Sequence, residues 1–120
     1  MSLNTQNLFI ESVKKIENKL NELNLYHSST IKKGFATYIA YETLTKTKVE
    51  FIYGPADWAI DIVLSKDDKV YGFKDLLKIP VVFQWANGNK INYGKNSKLD
   101  DELTWFVNLL CMIFKTHALP

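Results

Sequence analysis

Every second residue is large and apolar in two neighbouring segments, 49–53 and 58–64. Side chains alternate between the two faces of a strand, so each segment predicts a strand with one apolar face. Pro55, in the loop between them, suits the second position of an ordinary turn and excludes the primed two-residue turns, whose central residues need positive φ. A four-residue loop then pairs Tyr53 with Trp58 and predicts a β-hairpin.

This register has a consequence for two carboxylates. It places Glu50 directly opposite Asp61 on the less apolar face, where like charges destabilise a sheet. Two explanations are open. Water and a nearby lysine could screen the pair on an exposed face, or the acidic patch could serve a cation, a basic partner or a titrating site.

The chain before the hairpin predicts a helix, a loop and a strand. Residues 5–25 predict an amphipathic helix because their apolar side chains recur in steps of four and three. Residues 26–34 are polar and predict a loop. Residues 35–43 alternate again and predict a strand that pairs with the hairpin as a meander, with Tyr41 opposite Val49.

The chain after the hairpin contains further short elements. Residues 73–79 predict a short helical turn before a proline. Three more strands are predicted, and Asn87-Gly88, a strong hairpin signal, joins the last two. These strands are 70–73, 81–86 and 90–93.

Residues 97–117 predict the last helix, with Ser97 as its N-cap. Apolar side chains spread around nearly its whole circumference, which is typical of a helix that is buried on more than one side. One flank could therefore be an interface with another chain. We predict a homodimer contact at Trp105, Leu109 and Met112.

Together these elements predict a single α+β domain over residues 1–120. It has an N-terminal helix, a mainly antiparallel sheet of about five strands and a C-terminal helix. Both helices should pack on one face of the sheet and leave the other face partly open.

Composition indicates the class of protein and the compartment in which it is expected. The 120 residues are 47% hydrophobic and 23% charged, as in an ordinary globular domain. No apolar run approaches a membrane span of about 20 residues, and the first residues do not resemble a secretory signal. A single cysteine, Cys111, allows no internal disulfide. These features predict a cytoplasmic protein that does not enter a membrane.

The sequence argues against several chemistries. All 15 basic residues are lysine, and arginine is the usual reader of phosphates and guanine edges, so nucleic acid is a less expected partner. The two histidines and the one cysteine lack zinc-ligand spacing, and no phosphate-binding glycine loop is present. We therefore predict no cofactor, no metal and no catalytic residue.

The preferred function is non-enzymatic binding of a protein partner. The open sheet face would supply the contacts, through Tyr38, Glu50, Asp57 and Asp61. In size and character the chain is similar to small bacterial toxin-neutralising (immunity-type) proteins, although no motif ties it to one family. The resemblance implies a toxin as the partner.

Two alternatives stay open at this point. Asp57 and Asp61, with a lysine, could serve a small metal-dependent hydrolase or nuclease. The segment Lys90–Lys98 interleaves basic and aromatic residues, which can bind single-stranded nucleic acid weakly by charge and stacking.

Overall fold

The computed structural model describes residues 2–54 and 59–119. It has the predicted α+β architecture, with an N-terminal helix, a five-stranded antiparallel sheet and a C-terminal helix packed on the sheet. The elements in chain order are α1 (Ser2–Lys15), α2 (Glu17–Glu22), β1 (Tyr26–Lys33), β2 (Ala36–Glu42), β3 (Lys48–Tyr53), β4 (Ile60–Lys66), β5 (Lys69–Gly72), α3 (Phe73–Leu76), α4 (Pro80–Gly88) and α5 (Lys98–Thr116).

The sheet is a meander in which each strand pairs with the next, in the order β1-β2-β3-β4-β5. The pairing of β2 with β3 confirms the prediction, with Tyr41 opposite Val49 and Glu42 opposite Lys48. A tight turn separates β4 from β5. Its two residues, Asp67 and Asp68, both have positive φ.

The predicted register of the central hairpin is wrong by two residues. Tyr53 pairs with Ile60, so six residues, 54–59, separate the strands instead of four. A shift of two leaves every side chain on its own face, so the apolar pattern alone could not detect it. Residues 55–58, which include Pro55 and Trp58, lie outside the described part of the chain.

The predicted loop 26–34 is wrong, because Tyr26–Lys33 forms the edge strand β1. Seven of its eight side chains are exposed, so it shows no alternation that the sequence could reveal. Its backbone pairs with β2, with a register irregularity between His27 and Ser29. Irregular pairing and terminal lysines are common protections of an exposed sheet edge.

The predicted strands 81–86 and 90–93 are also wrong. Residues 80–88 form the helix α4, and no strand follows it in the described part of the chain. Pro80 occupies the first turn, where a missing amide costs nothing. Val82 is fully buried and Trp85 is half-buried, so the buried positions follow the helical step of three.

The predicted N-terminal helix is divided at Ile16, which lies between α1 and α2. The apolar stripe continues across this break, since Phe9, Val13, Ile16 and Leu20 are all buried. Gln6, which is 2% exposed, donates from Nε2 to the backbone carbonyls of Gly34, in the β1–β2 connection, and of Ala36, the first residue of β2. These contacts fix the helices to the sheet.

The hydrophobic core lies between the helices and one face of the sheet. Alternate residues of β2, β3 and β4 point into it, together with the apolar stripes of α1, α2 and α5. The buried positions of β3 confirm the predicted parity, and so do those of β4 that are described. These strand residues are Ile39, Tyr41, Val49, Phe51, Tyr53, Ile60, Ile62 and Leu64.

Helix α5 begins as predicted. The Ser97 hydroxyl accepts a hydrogen bond from the amide of Asp100 at 3.2 Å, which satisfies one of the free donors at the helix N-terminus. The helix ends at His117, whose backbone adopts the left-handed conformation. Lys15 of α1 pairs with the Asp100 carboxylate at 3.0 Å and ties the two main helices together.

Candidate functional site

The side of the sheet that faces away from the helices remains partly open to solvent. We define the open face by Ile31, Tyr38, Glu50, Ile52, Asp61 and Val63, which are exposed or half-buried. On β2, β3 and β4 they alternate with buried core residues, so strand geometry directs them away from the helices, and Ile31 joins them as the direct partner of Tyr38. Ala40 lies on the same side but is fully buried, since it is small and its neighbours cover it.

Strand pairing organises the open face into rows. Ile31 is opposite Tyr38, Tyr38 is opposite Ile52, and Ile52 is opposite Asp61. Three apolar or aromatic side chains therefore form a continuous line across β1, β2 and β3, and a carboxylate ends the line on β4. The Cβ atoms of directly opposed residues are about 4.5–5.5 Å apart, so each side chain of this row lies beside the next one.

The predicted confrontation of Glu50 with Asp61 does not occur. Glu50 is opposite Val63, and Asp61 is opposite Ile52, so the two carboxylates are diagonal neighbours on adjacent strands. Diagonal positions are roughly 7–8 Å apart, far enough to reduce their repulsion. The two carboxylates share the open face, and the like-charge clash inferred from the sequence is absent.

Both carboxylates are available to a partner. In residues 2–54 and 59–119, neither Glu50 nor Asp61 forms an ion pair. The only hydrogen bond that Asp61 accepts there comes from the following amide, that of Ile62, at 2.8 Å. Glu42, a third carboxylate on this side, accepts a hydrogen bond from the Ser28 hydroxyl instead. The open face therefore presents negative charge beside its apolar row.

The other sequence-predicted contacts have different outcomes. Asp57 lies outside the described residues, so its place on the open face stays a prediction. Leu109 is fully buried in the core of the domain and cannot contact another chain. Of the predicted interface on α5, only Trp105 and Met112 keep exposed surface. The homodimer stays a prediction, and the core covers most of the apolar surface that suggested it.

The lysine-bearing segment after α4 is a loop that an acidic side chain holds in place. Asp101, in the first turn of α5, accepts hydrogen bonds from the amides of Gly94, at 3.0 Å, and Asn96, at 3.2 Å. The positive φ of Gly94 permits the turn at this point. The Tyr93 hydroxyl donates to Glu102 at 2.9 Å. Sequence reasoning missed this anchoring because it depends on the fold bringing the loop onto α5.

A buried phenol lies at the other end of the sheet. The Tyr41 hydroxyl donates to Glu17 at 2.6 Å, and the ring of His27 contacts the Tyr41 ring edge-on. Burial, and then the hydrogen bond and charge of Glu17, raise the pKa of Tyr41 far above its usual range. The His27 Nε2 atom is 2.7 Å from the Thr30 hydroxyl oxygen. This arrangement keeps Tyr41 protonated, so it is a structural contact rather than a base.

Residues 2–54 and 59–119 contain no prepared metal centre. Among the described residues, no three or more histidine, cysteine, aspartate and glutamate side chains group together as metal ligands would. Burial raises the pKa of the Cys111 thiol, which makes it a weaker nucleophile. The described residues therefore give the metal-dependent alternative no supporting contact.

Two surface cavities lie away from the open face. A groove of about 540 Å³ is formed at the end of α5 by residues that include Leu23, Tyr26, Leu44 and Phe114. Leu44, at the tip of the β2–β3 turn, is 96% exposed. A second cavity of about 350 Å³ lies between the lysine-bearing loop and Trp105. Neither cavity includes a residue of the open face.

Comparison with known proteins found no matching family model, no matching curated protein and no matching solved structure. Function is therefore inferred from the geometry of this chain. In the part of the chain that the structure describes, no helix combines the length and the apolar character that a membrane crossing requires.

Proposed function

We propose that this protein is a non-enzymatic binding module that recognises a protein partner through its open face. The observation that carries the proposal is the cross-strand row Ile31, Tyr38 and Ile52, which ends at Asp61, a carboxylate without an ion pair among the described residues. Protein interfaces combine a desolvated apolar centre with polar groups at its edge, and tyrosine is a frequent anchor of binding energy. A second carboxylate, Glu50, borders the same row.

The shape of the open face supports binding of a macromolecule rather than of a small substrate. Small-molecule sites are concave and enclose most of their ligand. The open face is the surface of a sheet, and the cavities described above are lined by other residues. A sheet surface of this kind matches the extended, shallow contact that protein partners make.

The charge of the open face indicates what the partner presents. Glu50 and Asp61 favour lysine or arginine side chains placed around an apolar centre, because complementary charges speed association and exclude wrong partners. Lys48 lies on the same side of β3 as Glu50, but the two form no ion pair in the described part of the chain. Binding of the partner's basic groups to these carboxylates would therefore not require an ion pair with Lys48 to break first.

Neutralisation of a bacterial toxin is the narrower form of this proposal. The small size of the chain and its open sheet face support it, as does the resemblance in character to immunity-type proteins. The formal net charge is only +2, whereas inhibitors of nucleases tend to be strongly acidic, so a toxin of another activity is the better match. The lone Cys111 supports a cytoplasmic location.

Site-specific photo-crosslinking in the host cell tests the proposal. A photoreactive amino acid at position 52 should give one discrete adduct, whose protein component mass spectrometry identifies. The same amino acid at the exposed position Asn18 of α2 is the control and should give none. No discrete adduct at position 52, or an identical adduct at position 18, would remove the proposal.

Charge reversal then tests the role of the carboxylates. Asp61→Lys should reduce the adduct several-fold, because it turns attraction to a basic partner into repulsion. Glu11→Lys makes the same change in net charge at an exposed position of α1 and should leave the adduct unchanged. If the identified partner is a toxin, the wild-type chain should suppress its toxicity and Asp61→Lys should suppress it less.

A further inference from the structure

The loop between α4 and α5 concentrates positive charge. The loop residues 89–97 include Lys90 and Lys95, Lys98 follows as the first residue of α5, and no acidic residue lies in 89–98. None of the three lysines forms an ion pair within residues 2–54 and 59–119. The three acids that follow in the sequence have other partners, since Asp100 pairs with Lys15, Asp101 accepts two loop amides and Glu102 accepts the Tyr93 hydroxyl. The loop therefore has cationic groups that are free to meet an anion.

A cavity with aromatic walls lies directly beside these lysines. Its volume is about 350 Å³, within the range of roughly 300–1,000 Å³ that is typical of small-ligand sites. Trp105 and Tyr93 supply aromatic surface, Ile91 adds an apolar side chain, and Lys90 contributes a charge. Tyr93 is 53% exposed, so a planar ring can reach its surface.

The main wall of this cavity is held firmly in position. The Trp105 indole N–H donates to the backbone carbonyl of Asn89, and the Asn89 side chain donates to the carbonyl of Trp85 at 2.8 Å. The Trp105 ring also contacts Trp85, at 5.5 Å between centroids, and Phe73, at 5.9 Å. These contacts fix the indole before a ligand binds, which lowers the entropy cost of binding.

We propose that this cavity binds a planar aromatic anion of the nucleotide class. The base stacks on the aromatic wall formed by Trp105 and Tyr93, and Lys90 binds the phosphate. Proteins that bind single-stranded nucleic acid without sequence preference combine stacking of bases on aromatic side chains with attraction of phosphates to basic groups, and this cavity offers both on the scale of one nucleotide. The site is separate from the open face, so the test of nucleotide binding does not depend on the proposed protein partner.

A titration monitored by two-dimensional ¹H–¹⁵N NMR tests the site with three probes. Adenosine 5′-monophosphate carries both ring and charge, adenosine carries only the ring, and ribose 5-phosphate carries only the charge. We expect the monophosphate to shift the indole N–H signal of Trp105 and the amide signals of the loop saturably. Adenosine should bind more weakly at the same signals, and ribose 5-phosphate should not shift the indole signal.

Three variants assign the two interactions. Tyr93→Ala should weaken binding of the monophosphate by roughly 5- to 150-fold, the range for loss of one stacking contact. Lys90→Gln should weaken the monophosphate several-fold and leave adenosine unaffected. Lys95→Gln is the matched control, because it removes the same charge from the same loop outside the cavity lining. All three side chains are exposed, and thermal unfolding checks that each variant remains folded.

A single-stranded adenylate hexamer distinguishes the two sources of the ligand. A much higher affinity for the hexamer than for the monophosphate, with strong salt dependence, identifies a nucleic-acid strand as the ligand. Equal affinity per site identifies the free nucleotide. The proposal is overturned if the monophosphate causes no saturable shift at Trp105, if ribose 5-phosphate causes the same shifts, or if Lys95→Gln weakens binding as much as Lys90→Gln.

Discussion

Replacement of Asp101 tests whether one buried carboxylate holds the lysine-bearing loop in place. Asp101 is 7% exposed, and each of its carboxylate oxygens accepts a hydrogen bond from one loop amide. Asp101→Ala removes both acceptors and leaves the amides of Gly94 and Asn96 without their protein partner. We expect the loop to detach from α5 and the domain to lose stability.

The magnitude follows from the number of hydrogen bonds and their exposure. A hydrogen bond to a charged group contributes about 1.5–3 kcal/mol, so two would contribute about 3–6 kcal/mol if both donors stayed buried after the substitution. Gly94 and Asn96 are exposed residues, so water can replace part of the loss. We therefore expect the free energy of unfolding to fall by about 2–4 kcal/mol, measured by urea denaturation.

Amide hydrogen exchange provides the local measurement. In the wild-type protein the amides of Gly94 and Asn96 should be protected, and in Asp101→Ala they should exchange freely. Asp100→Ala is the matched control, because it removes the neighbouring carboxylate, which pairs with Lys15 and contacts neither amide. Two results together would refute the reasoning. The free energy of unfolding of Asp101→Ala would fall by less than about 0.5 kcal/mol, as for an ordinary surface substitution, and both amides would keep their protection.

Three further predictions concern the core and the sheet. The raised pKa of Tyr41 means that the unfolded state releases its phenolic proton first, so stability should fall as the pH rises above about 10, by up to about 1.4 kcal/mol per pH unit. Tyr41→Phe should remove that part of the slope in urea denaturation at alkaline pH, and an unchanged slope would contradict the assignment. Leu109→Ala should cost about 2–5 kcal/mol, whereas Leu44→Ala, at a position 96% exposed, should stay within about 0.5 kcal/mol. Similar thermal stabilities of the two variants would argue against the packing of α5. Cysteines at positions 50 and 63, which Glu50 and Val63 now occupy, should form a disulfide in a background without the native cysteine, because the two residues are direct partners. Faster oxidation of a pair shifted by two residues along β4 would instead favour the register inferred from the sequence.

Which face of each core strand is apolar could be determined from the amino-acid sequence by itself. The alternation in 49–53 required one apolar face, and Val49, Phe51 and Tyr53 are buried as expected. It also located α5, because the capping signal at Ser97 and the dense apolar pattern after it are local features. Both follow from periodicity and short-range hydrogen bonding, which operate within a few residues. The membership of Tyr38, Glu50 and Asp61 in one face followed from the same parity.

Only the tertiary structure decided the elements and contacts that depend on distant residues. Residues 26–33 are a strand because β2 offers them backbone partners, and residues 80–88 are a helix that packs beside α5 rather than a strand at the sheet edge. The register of β3 against β4 followed from pairing along the whole strands, since a slip of two residues preserves every face. The row through Ile52 and the cavity beside Trp105 also required the fold. Periodicity records which side a residue faces, whereas its neighbour across the sheet or on another helix is set by packing of the complete chain.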